Sequence, residues 1–117
     1  MTYVGADTGP SMDLDYQIVV QLAIPRAIAH AEDVLEIEDA LADAIGSAGE
    51  IDGHDVSSSK ANVFVLAIDP RATFEALRVR LERSFPGLAY VAASRKCCDN
   101  DDWTFLYPAD LQAFSLE

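Results

Sequence analysis

With 117 residues, half of them hydrophobic, the chain is long enough to bury one core without disulfides or a structural metal, so a single domain is expected. Twenty Asp and Glu against eight Lys and Arg give a net charge of -12, whose field repels nucleic acid and anionic membrane and favours basic partners. No stretch approaches the roughly 18 apolar residues of a membrane span, and the first residues lack a charged and then apolar leader, so a cytoplasmic location is expected.

Residues 1–15 hold Gly5, Gly9, Pro10 and three Asp with little periodic apolar surface, and read as a flexible tail ahead of a domain spanning 16–117. From Tyr16 to Ile24 apolar residues alternate, with Ile18, Val20 and Leu22 on one side, which predicts a strand with one buried face. A helix follows from about Ala31, where Val34, Ile37, Leu41 and Ile45 share a stripe and Gly46 and Gly49 supply the stop. Its outer face is acidic: Glu32, Asp33, Glu36, Glu38, Asp39 and Asp43, with no Lys or Arg among them.

Gly49 to Val56 reads as a second strand, Ser57 to Lys60 as a turn, and Ala61 to Ile68 as a central strand apolar on both faces. Asp69 stands where a helix N-cap belongs and Pro70 at the first helical position, opening a helix whose Phe74, Leu77 and Leu81 share a face. This helix carries Arg71, Arg78, Arg80 and Arg83, a charge opposite to the first helix and suited to packing beside it. Ser84 to Gly87 closes it. Leu88 to Ala93 forms a fourth strand, Ser94 to Asp102 a polar loop, and Trp103 to Tyr107 a fifth strand ended by Pro108.

The order β-α-β-β-α-β-β predicts an α+β fold, a ferredoxin-like βαββαβ split sandwich with an additional C-terminal strand and two helices on one face of an antiparallel sheet. Val19 and Ala23 on the other side of the first strand require a cover for the helix-free face. A second copy of the chain packing sheet to sheet is the first expectation, and the segment 108–117 with Leu111, Phe114 and Leu116 the second.

Functional residue types are densest at Gly49-Glu50-Ile51-Asp52-Gly53-His54-Asp55. On a regular strand Glu50, Asp52 and His54 project to one face, a carboxylate, carboxylate, imidazole row suited to a divalent cation if a bulge at Gly53 gathers them; an Asp-Gly hairpin turn would scatter them instead. His54, Asp55 and Ser57 have the residue types of a triad without a nucleophile elbow. Cys97 and Cys98, beside Arg95 and Lys96, lack CxxC spacing and are expected to be reduced thiols. Asp99 to Asp102 lacks the glycine and terminal acid of a calcium loop. Trp103, Phe105 and Tyr107 form an aromatic stripe that the charge excludes from stacking on nucleic-acid bases and assigns to packing. His30 is expected to be neutral and exposed. No glycine-rich phosphate loop or other cofactor motif is present.

The Gly49 to Asp55 strand, the strand end Ala67-Ile68-Asp69 and the helix with Phe74 and Leu77 resemble small uncharacterised bacterial ferredoxin-like proteins over residues 49–81. That resemblance implies the fold and carries no activity to any residue. ACT-type regulatory domains share the topology, but the glycine of their ligand-binding connection is missing from Ile24-Pro25-Arg26-Ala27. The functional expectation is a non-catalytic binding or regulatory module, homodimeric through its sheet. The alternatives are an immunity or antitoxin-like protein that binds a basic protein with Glu36, Glu38, Asp39 and Asp43, and a metal-dependent small-molecule enzyme using Glu50, Asp52 and His54.

Overall fold

The computed structural model describes residues 14–23, 31–57, 60–96 and 102–116, with the backbone alone for 31–33. Along the chain run strand β1 (Tyr16–Ala23), helix α1 (Ala31–Ile45), strands β2 (Gly49–Val56) and β3 (Lys60–Ala67), helix α2 (Pro70–Ser84), and strands β4 (Tyr90–Lys96) and β5 (Thr104–Tyr107). The strands form one sheet in the order β2-β3-β1-β4-β5, antiparallel at every pairing. Among the described residues no helix is long and apolar enough to cross a membrane.

Period-two alternation in β1 puts Ile18, Val20 and Leu22 on one face, opposite Val65, Val63 and Ala61 of β3. Helical spacing aims Val34, Ile37, Leu41 and Ile45 of α1 and Phe74, Leu77 and Leu81 of α2 into the same cluster. Both helices therefore cover one sheet face. Each buried aliphatic or aromatic side chain contributes about 1.5 to 3 kcal/mol. The exposed pair between Arg80 Nη1 and Asp43 Oδ2, 2.7 Å apart, joins the helices in the expected charge-complementary way but is worth only about 0 to 1 kcal/mol, so burial sets the arrangement.

Local signals act as expected around α2. The Asp69 carboxylate accepts a hydrogen bond from the Ala72 N–H at 3.2 Å, and Pro70 occupies the first turn, where a missing N–H costs nothing. The Phe85 N–H closes the other end on the Leu81 carbonyl at 2.9 Å, and Gly87, at φ +87°, turns the chain toward β4.

Three expectations are corrected. β3 starts at Lys60 and ends at Ala67, one residue earlier than its apolar run suggested. β4 runs from Tyr90 to Lys96 instead of Leu88 to Ala93. Its polar end pairs as strand because Ser94 lies buried opposite Ile18 and Arg95 Nε donates to Gln17 Oε1 at 2.9 Å across the sheet. Trp103 lies outside β5, and Trp103, Phe105 and Tyr107 do not share a face. A register shift between Ala92 and Ala93 turns Tyr107 to the helix side, stacked on Tyr90 at 4.7 Å, while Phe105 stays opposite Ala93 on the other side. Residues 1–13 of the expected tail, Ile24, His30, Cys97, Cys98 and Asp99 to Asp101 lie outside the described residues.

Candidate functional site

The row Glu50, Asp52, His54 does not form. β2 pairs regularly with β3 through Glu50 and Ile51, opposite Leu66 and Val65, then shifts register so that Gly53 faces Phe64 and His54 faces Val63. Gly53 has φ +141°, a conformation nearly closed to other residues. This bulge changes the period of the strand: Glu50 falls on the helix-free side with Leu66, and His54 on the helix side with Val63. The bulge expected to gather the three groups separates them. Among the described residues no set of three or more His, Cys, Asp or Glu is placed to hold a metal ion.

His54 instead meets α1. Its Nδ1–H donates to Glu38 Oε2 at 3.0 Å, with both side chains partly buried. A carboxylate only accepts, so the contact fixes the proton on Nδ1. The triad residue types are also dispersed. Asp55 accepts from Asn62 Nδ2 at 3.0 Å on the opposite face, and Ser57 Oγ closes the β2–β3 turn on the Lys60 carbonyl at 3.1 Å.

The acidic face of α1 divides in two. Glu38 is committed to His54 and Asp43 to Arg80, whereas Glu36 and Asp39 stand exposed with no ion pair among the described residues. The edge strand β2 carries exposed Glu50, Asp52 and Asp55, of which Glu50 and Asp55 lie on the helix-free side of the sheet. Between Arg26 and Lys60 the sequence holds nine acidic residues and no Lys or Arg, so three quarters of the net charge of -12 originates in α1, β2 and their flanks.

The helix-free face is ordered in cross-strand rows. The central one, Gly53, Phe64, Val19, Ala93 and Phe105, is apolar. On either side lie rows containing the amides of Gln17 and Gln21, each only 6% exposed. The C-terminal segment crosses this face. Gln21 Nε2 donates both to Asn62 Oδ1 at 3.0 Å and to the Ser115 carbonyl at 2.9 Å. Phe114 meets the Trp103 ring edge to face at 4.8 Å, and the Arg95 guanidinium lies 4.6 Å from the centre of that ring. Residues 114 and 115 thus lie against part of the surface first expected to receive a second copy. The two glutamines were the available signal in the sequence, since a strand face destined for aliphatic core does not carry a polar amide at every fourth residue.

A groove of about 610 Å³ opens between α2 and β5 over Phe74, Leu106 and Tyr107, with Arg71, Glu75 and Arg78 at its rim. Arg78 is committed to Glu75 and to Glu82, the latter at 2.6 Å, and this pairing holds the exposed Glu75 carboxyl below its ordinary range. Tyr90 sits behind Tyr107, its hydroxyl buried without a hydrogen-bond partner among the described residues. Burial, and then the neighbouring Tyr107 phenol, push it up to about 12. Among the described residues the walls of this groove include no histidine, serine or cysteine.

No family model, no curated protein and no solved structure matches the chain.

Proposed function

We propose that the chain is a non-catalytic binding module that engages a basic protein through the exposed acidic face of α1, as an immunity or antitoxin-like protein would. One observation carries this reading: Glu36 and Asp39 of α1 stand exposed with no ion pair among the described residues, within a stretch between Arg26 and Lys60 that holds nine acidic residues and no Lys or Arg. Such a field steers a basic partner into encounter and discriminates against acidic ones.

The strand order and the placement of α1 after β1 and α2 after β3 support classing the fold as a ferredoxin-like split sandwich, with β5 added beside β4. The experiment is capture of partners by the tagged chain from its native lysate at low salt, followed by a high-salt wash. A stoichiometric basic protein released by salt is the expected result. Recovery of the tagged chain alone would remove the proposal.

A further inference from the structure

Gln21 lies on a sheet face that no helix covers among the described residues, yet it is only 6% exposed, and a chain segment without strand pairing lies against its amide. We infer that the helix-free face is a binding site for an extended peptide bearing an aromatic residue, and that residues 111–116 occupy this site in cis.

The two contacts divide the work of recognition. Gln21 donates one amide hydrogen to Asn62, which fixes its orientation, and the other to a main-chain carbonyl, that of Ser115. This hydrogen bond reads backbone and tolerates any side chain at that residue. One residue earlier, Phe114 packs its ring against Trp103, whose opposite neighbour Arg95 is held by Gln17. The aromatic contact therefore supplies the selectivity, and buried cross-strand partners support both anchors. Asp55 extends the same network to the edge strand by accepting from Asn62.

The occupant is suited to exchange. It adds no strand to the sheet, and Gln112, Ala113, Ser115 and Leu116 are exposed, so the segment is held at points and not embedded along its length. A peptide presenting an aromatic residue followed by a free carbonyl matches the same anchors and competes with the tail. Affinity for such a peptide is reduced by the fraction of molecules whose own tail is docked.

The test uses the full-length chain and a fluorescein-labelled synthetic peptide with the sequence of residues 109–117, followed by fluorescence anisotropy. The variant Phe114→Ala weakens the internal occupant and leaves Gln21 and Trp103 in place, so it should bind the peptide at least roughly tenfold more tightly than the unaltered chain. An unlabelled peptide with alanine at the phenylalanine position should fail to compete. Equal or absent binding by Phe114→Ala would overturn the inference, as would equal competition by the alanine peptide. Loss of cooperative thermal unfolding in Phe114→Ala would also overturn it, because the tail would then be a fixed part of the core.

Discussion

The Nδ1–H of His54 on β2 donates to the Glu38 carboxylate on α1 at 3.0 Å, joining the edge strand to the helix through a contact that exists only because the chain bulges at Gly53. With both side chains partly solvated, the pair should contribute about 1 kcal/mol, toward the low end for hydrogen bonds to charged groups. His54→Ala should lower the urea midpoint accordingly. The doubly substituted Glu38→Ala, His54→Ala chain should lose less than the two single losses added together. Strict additivity would show that the contact is energetically idle.

Gly49 marks a close approach of two backbones. A Cβ built there would lie 2.2 Å from the Leu66 carbonyl oxygen, a distance that only movement of the β2–β3 pair relieves. Its extended conformation is open to any residue, so space and not backbone conformation is the constraint. Gly49→Ala should cost about 1 to 3 kcal/mol, the range for overpacking a tight site. An unchanged midpoint would contradict the described register at this end of β2.

Tyr90 predicts an alkaline limit. Its phenol ionises at about 12 in the native protein, against about 10 in an unfolded chain. As pH rises from 10, the unfolded chain sheds this proton first. The contribution to stability is therefore complete below pH 10 and disappears as pH approaches 12. Tyr90→Phe removes a buried hydroxyl that has no partner among the described residues, so it should change neutral-pH stability by no more than about 1 kcal/mol and flatten the alkaline decline. Urea midpoints of both proteins across this range decide the matter; parallel declines would exclude Tyr90 as the source.

The unpaired acids should work against stability. Glu36 and Asp39 make no ion pair among the described residues and share their helix with like charges, so their repulsion is relieved by screening. The melting temperature should rise with added sodium chloride, and Glu36→Gln with Asp39→Gln should raise it at low salt while reducing its salt dependence. A lower melting temperature in that variant would mean that these carboxylates stabilise the fold itself.

Local chemistry was legible in the sequence where it acted alone. The alternation of Ile18, Val20 and Leu22, the helical stripe from Val34 to Ile45 and the pair Asp69-Pro70 each specify their element through neighbours a few residues away. The register shifts were not legible, because they depend on pairing with a distant strand. The shift at Gly53 moved His54 away from Glu50, and the one at Ala92 moved Tyr107 away from Phe105. A period-two reading carries every residue beyond a bulge to the wrong face. The tail was visible as a candidate cover through Phe114, but its anchor, Gln21, precedes Ser115 by 94 positions, and no local pattern links them.

The acidic side of the molecule is the centre of the functional account, and a paired capture measures it most directly. The unaltered chain and the Glu36→Lys, Asp39→Lys variant, each verified as folded, are presented at low salt to the same native lysate, and the bound proteins are quantified by mass spectrometry. The account predicts a basic protein retained in stoichiometric amount by the first and lost from the second. Equal recovery of that protein by both would contradict it.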